Sequence, residues 1–156
     1  MKVALCAVGR LRAGPERTLY DDYAARFGKT GRALGLGPLD LVEVEDRRGG
    51  GMAAEAALLD RALPAGARLC VLDERGRTMT SPDFADMLAR WRDQAAGPVA
   101  FVIGGADGLD PVLRDRAETT LSFGPMVWPH MLVRVMLAEQ LYRAAAILAG
   151  SPYHRA

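Results

Sequence analysis

The chain ends in SPYHRA, which places Tyr153, His154 and Arg155 in consecutive positions directly after a helix stop. Histidine exchanges a proton near neutral pH, arginine stabilises developing negative charge, and tyrosine stacks on flat rings while offering a hydroxyl. A frayed terminus would have little reason to gather all three. Two more polar pairs precede them at i,i+4 spacing, His130 with Arg134 and Glu139 with Arg143. Such a pair contributes only about 0.2–0.5 kcal/mol when exposed. Either reading therefore stands, a solvated edge of a core helix or part of a site.

These residues need a helix to carry them. Pro129 suits a helix start, where the missing amide hydrogen costs nothing, and Gly150 suits the position past the end, so a helix is predicted from about 130 to about 149. At a 3.6 period Val133, Leu137, Leu141, Ala144 and Leu148 share one arc, with Leu132, Val135, Met136 and Ile147 on or near the opposite one. A helix covering a sheet needs one apolar stripe, so the second arc calls for another cover, and in so short a chain a second copy is favoured.

Upstream, strands and helices alternate. Lys2 to Gly9 reads as a strand buried on both faces, followed by a loop with Arg10 and Arg12 and a helix from Pro15 that Gly28 ends. LDLVEVE supplies a second strand, and Arg47-Arg48-Gly49-Gly50-Gly51 is either a linker or a contact with phosphates. A helix over about 52–63, a strand over 68–73, a helix capped at Ser81 and running to about Ala95, and a strand over 99–103 follow. Asp110-Pro111 caps a short helix and Thr119 to Phe123 is a fifth strand. Regular alternation of this kind argues for a mostly parallel sheet with helices on both faces.

With 156 residues, half of them hydrophobic, the expectation is one domain spanning 1–156 with a sizeable core. A net charge of +1 supplies no bulk attraction to nucleic acid, so any RNA contact must come from local arginine clusters or from a surface assembled by two subunits. Cys6 and Cys70 lie in apolar runs, as core residues do, and neither spacing resembles a metal site. No signal peptide or membrane-spanning run is visible, so the expected setting is reduced and cytoplasmic, with no metal and no membrane partner.

In sheets of this kind ligands bind beyond the carboxyl ends of strands. Three such ends carry unusual loops: Leu72 to Gly76, Gly104 to Gly108, and Phe123 to Trp128. A side chain at Gly104 is expected to occupy ligand space, and the bare backbone and apolar walls of the last loop suit a flat heterocycle better than a triphosphate. The G-G-x-x-G spacing is not a dinucleotide fingerprint, and no Walker sequence, zinc spacing or nucleophile elbow is present.

IGGADGL, LSFGPMVWPH, LVRVMLAEQLYRA and the terminal PYHR, with the MKVALCAVG opening and LDERGR, together resemble the SPOUT-class large-subunit ribosomal RNA methyltransferases that methylate N3 of pseudouridine. The resemblance runs nearly end to end. It implies an α/β fold with a C-terminal trefoil knot, S-adenosylmethionine bound in the knot, a homodimer with its site at the interface, and ribosomal RNA, in the large subunit or whole ribosome, as partner. By position the cofactor contacts would be Leu72, Gly104, Phe123, Gly124, Pro125, Met126, Val127 and Trp128. Gly124-Pro125 departs from the pattern, where many relatives carry a small polar residue and then a non-proline; proline leaves a carbonyl contact possible at 125 but no amide contact.

Methyl transfer from a sulfonium needs alignment and removal of a proton. The resemblance makes His154 a candidate base, Arg155 or Arg134 a candidate electrostatic partner, Tyr153 a stacking group and Arg143 an anchor for the tail. Two rivals are a ligand-sensing module without chemistry and a nicotinamide-dependent oxidoreductase. The second needs an early G-x-G-x-x-G that is absent; a methyl-transfer assay separates the first.

Overall fold

The computed structural model describes residues 1–155. In chain order the elements are β1 (Val3–Val8), α1 (Pro15–Gly31), β2 (Leu39–Val44), α2 (Gly51–Ala62), β3 (Arg68–Arg77), α3 (Ser81–Asp93), β4 (Val99–Ile103), α4 (Pro111–Arg116), β5 (Thr119–Leu121) and α5 (His130–Leu148). The five strands form one parallel sheet in the order β2-β1-β4-β3-β5.

Strand alternation divides the core. Val3, Leu5 and Ala7 of β1 with Val99, Phe101 and Ile103 of β4 face a cluster completed by α1, α3 and α5. Ala4, Cys6, Ala100 and Val102 face the opposite way, under Leu59 of α2 and Leu113 of α4. Helices thus cover both faces, as alternation predicts. Cys6 lies on one side of the sheet and Cys70 on the other, and burial pushes their thiols up to about 11 and about 12, so both are packed as inert apolar groups.

Several boundaries differ from the sequence expectations. Gly28 does not stop α1: the space around it is open, and the helix continues to Gly31, where a side chain would meet the Leu36 carbonyl. Thr80, not Ser81, caps α3, its hydroxyl accepting from the Asp83 amide at 3.2 Å. β5 ends at Leu121, two residues early, where the chain turns and the Gly124 amide donates back to the Ser122 hydroxyl. β3 does not stop at Asp73: Leu72 and Arg77 both pair with Leu121, so residues 73–76 bulge out between two paired ends.

α5 follows its expected span. Leu137, Leu141 and Ala144 are fully buried under α1 and α3. Val133 and Leu148 of the same arc are half-buried; of the opposite arc Val135 is buried and Leu132, Met136 and Ile147 are half-buried, so one chain leaves part of α5 incompletely covered. Among the described residues no helix is long and apolar enough to cross a membrane.

Candidate functional site

The carboxyl ends of β3, β4 and β5 enclose a cavity of about 500 Å³, within the usual range for a small-molecule site. Leu72 and the 73–76 bulge form one wall, Gly104 to Gly108 a second, and Phe123, Gly124, Met126, Val127 and Trp128 a third, with His130 and Val133 of α5 closing the base. Seven of the eight positions expected to touch a cofactor therefore meet in one space. Pro125 is exposed and is not part of the lining.

Local bonds shape each wall. Asp73, almost fully buried, accepts from the Arg75 amide and from its Nε and guanidinium, all at 2.9 Å, and these bonds hold its carboxyl below the usual range. The Ser122 hydroxyl lies 3.1 Å from the Glu74 and Gly124 carbonyls and accepts from the Gly124 amide at 3.0 Å, which fastens the third wall to the first. Gly124 has φ +105, a conformation that favours glycine, so the departure at this position is built into the turn.

Gly104 corrects the expectation placed on it. A Cβ there would stand 2.5 Å from the Gly108 carbonyl oxygen, so the missing side chain makes room for the loop's own backbone and only indirectly for a ligand. At Gly105 a Cβ would instead meet the Glu55 carboxylate at 2.5 Å. Burial, then the charges of Asp107 and Asp46, raise the Glu55 pKa, while His130 lowers it. Nothing in the sequence marked Glu55, which comes from α2 and joins the rim only in the folded chain.

The tail is bonded to its own helix. Glu139 Oε1 accepts from Arg143 Nε at 3.0 Å, from its guanidinium at 2.5 Å and from the Tyr153 hydroxyl at 3.0 Å. The Tyr153 ring lies 4.5 Å from that of Tyr142 and beneath the Arg143 guanidinium at 4.8 Å. Burial and the bond to Glu139 raise the Tyr153 phenol well above its ordinary range, so it stays protonated. Arg143 also lies 3.2 Å from His154 Nδ1. A guanidinium can only donate, so Nδ1 accepts and the neutral ring carries its proton on Nε2. Arg155 is exposed.

These groups do not line the cavity of their own chain. The cavity meets α5 at His130 and Val133, whereas the tail binds Glu139 and Arg143, about 9–20 Å further along the helix axis. Glu139 lines instead a second groove, of about 570 Å³, with Tyr23, Met79, Phe84, Val135 and Met136. Leu121, Phe123 and Gly124 line both spaces and form the partition between them.

Arg134 is placed apart from the tail. Its side chain is 0% exposed, with one nitrogen 2.9 Å from Glu43 Oε2 and the other donating to the Val8 and Gly9 carbonyls at 2.7 and 3.0 Å. Burial lowers its pKa while Glu43 raises it. These contacts tie α5 to the ends of β1 and β2.

The family profile described as "Predicted SPOUT methyltransferase" matches residues 1–154. The chain is 72% identical over 155 residues to "Ribosomal RNA large subunit methyltransferase H" of Dinoroseobacter shibae and 69% identical to the protein of that name from Ruegeria pomeroyi, covering 99% of each chain in both cases. Among solved structures, a probable methyltransferase from Bordetella pertussis aligns with a TM-score of 0.53 at 20% identity, over 92% of this chain and 95% of that one. A probable methylase family protein from Haemophilus influenzae has the same TM-score at 16% identity, over 99% of this chain and 70% of that one. At such identities the two structures speak for the fold.

Proposed function

The chain belongs to the SPOUT methyltransferase family, and from that premise we propose that it transfers the methyl group of S-adenosylmethionine to N3 of a pseudouridine in large-subunit ribosomal RNA, on the assembled ribosome. The observation that carries this reading is the meeting of three strand-end loops around one cavity. Apolar walls from Leu72, Met126, Val127 and Trp128 suit an adenine ring, and the backbone groups of the 104–108 and 123–128 loops suit polar contacts with a ribose and amino acid. When bound there, the sulfonium supplies an activated methyl carbon. The threading of the C-terminal segment through a trefoil knot belongs to the same reading.

The chain's own residues must then align N3 and take up the charge left when its proton goes. Arg143 already donates to His154 Nδ1, and a base at Nε2 would require moving the ring proton to Nδ1, donor against donor. In our reading His154 therefore offers Nε2–H to a carbonyl flanking N3, which stabilises the imide anion while the proton passes to water. Tyr153 stacks or orients, Arg155 meets a phosphate, Glu139 and Arg143 position the tail, and Arg134 holds the rim.

Because the tail lies beyond its own cavity, we assign it to the cavity of a second copy in a homodimer built on the half-covered arc of α5 and the adjoining groove. Mass spectrometry of large-subunit RNA from cells lacking the gene tests the substrate: one methylpseudouridine should vanish, and an unchanged set overturns it. Subunit exchange tests the shared site. Val127→Asp, assayed at a cofactor concentration that fills only the intact cavity, and a chain truncated before Tyr153 should each be nearly inactive. Mixed, they should recover about a quarter of wild-type activity, since half the dimers are mixed and each has one intact site. No recovery after verified exchange overturns it.

A further inference from the structure

The loops after β1 and β2 leave the sheet side by side. Their strands pair in register from Val3 with Leu39 to Val8 with Val44, and the Gly9 amide donates to the Val44 carbonyl at 2.8 Å. Each loop carries two exposed arginines, Arg10 and Arg12 in the first, Arg47 and Arg48 in the second. Each acid on these two loops has a hydrogen-bond or ion partner. Glu43 accepts from Arg134 and from the Leu11 amide, Asp46 accepts from the Arg48 and Gly50 amides, and Glu45 lies 3.9 Å from Arg47. Among the described residues, no carboxylate pairs with Arg10, Arg12 or Arg48.

The backbone bearing these charges is fixed. Arg134 holds the Val8 and Gly9 carbonyls, Glu43 holds the Leu11 amide, and Arg17 donates to the Leu11 carbonyl at 3.3 Å. The position matters as well. β1 lies next to β4, whose end carries the Gly104 loop of the cavity, so the two arginine loops begin about one and two strand spacings, roughly 5 and 10 Å, from that loop. In a chain of net charge +1, three unpaired cations on a rigid rim beside the cavity are a local concentration of positive charge.

We propose that Arg10, Arg12 and Arg48 form a phosphate-binding rail for the RNA strand flanking the target nucleotide. The proposal rests on the RNA substrate above and names the surface that receives it. Guanidinium groups on fixed loops meet phosphates without reading bases, so the rail supplies affinity and register, while the cavity and tail select the nucleotide.

The test compares wild type with the triple variant Arg10→Gln/Arg12→Gln/Arg48→Gln, all exposed positions, using ribosomes from a strain lacking the gene. Ribosome binding is measured across salt concentrations, separately from methyl transfer and from S-adenosylmethionine affinity. With about 0.7 of a counterion released per phosphate, the slope of log affinity against log salt should fall by about 2, and KM should rise about tenfold or more at 0.1 M salt. Turnover and cofactor affinity should stay within about twofold, and the triple lysine variant should restore most of the slope because phosphate accepts a point charge. An unchanged slope and KM, or a lysine variant as weak as the glutamine one, overturns the rail. If wild type binds ribosomes but transfers no methyl, the reaction assignment fails and the slopes still judge the rail; if wild type does not bind at low salt, both fall.

Discussion

Arg134→Met removes a fully buried cation and leaves Glu43, the Val8 carbonyl and the Gly9 carbonyl without their partner. Breaking one side of a buried ion pair costs about 3–5 kcal/mol, and Glu43, 21% exposed, retains some access to water, which puts the expected loss near the lower end. Arg134 Nε is buried without a partner, so the wild-type arrangement is itself imperfect and the net loss is held to about 3 kcal/mol. For a chain of this length that corresponds to a fall of about 6–12 °C in melting midpoint, readable by calorimetry. Replacing Glu43 as well should recover about 1–2 kcal/mol, since the orphaned carboxylate is gone. Turnover per folded molecule, measured well below the variant's own midpoint, should stay within a few-fold of wild type. A midpoint within 2 °C of wild type, or a double variant as costly as the two singles summed, refutes the structural tie. A hundredfold loss of turnover in folded protein would instead make Arg134 an electrostatic catalyst.

Gly104→Ala should destabilise by about 1–3 kcal/mol and weaken S-adenosylmethionine together, because its Cβ would press on the Gly108 carbonyl; a stable variant with reduced affinity would return the ligand-space reading. Val127→Asp should leave the melting midpoint unchanged, since Val127 is 82% exposed, and weaken the cofactor about tenfold or more by setting an unpaired carboxylate in an apolar wall; undiminished affinity by calorimetry counts against the cavity.

The elements were legible where periodicity and end signals agreed. α5 is continuous from His130 to Leu148 because its apolar residues, its proline start and its glycine stop all point the same way. Gly28 misled because a glycine ends a helix only when the next residues have somewhere else to go, and here the return of Leu36 onto Gly31 sets the end three residues later. The bulge after Leu72 was invisible because it depends on β5 accepting both Leu72 and Arg77 beside Leu121, a long-range pairing with no local signature.

For the site, spacing along the chain reports which residues lie on a loop but not which loops share a space. Position at strand ends was sufficient to point to the cavity, since a parallel sheet brings those ends to one rim; the eight individual residues came from the family resemblance, all lie on these loops, and seven line the cavity. Glu55 and Ser122 escaped because their importance comes from what packs on them: a glycine with no room for a side chain, and two carbonyls, one from the β3 bulge and one from the loop after β5. Arg134 escaped in the opposite sense. Four residues after His130, it reads as a partner for exposed chemistry, yet its helix position turns it into the sheet toward Glu43. The same burial that withdraws Arg134 from solvent fixes the loop bearing Arg10 and Arg12, so a single internal ion pair sets the geometry of an external charged surface. If the rail binds RNA as proposed, Arg134→Met should raise KM for ribosomes while turnover stays unchanged, and an unchanged KM separates the ion pair from the rail.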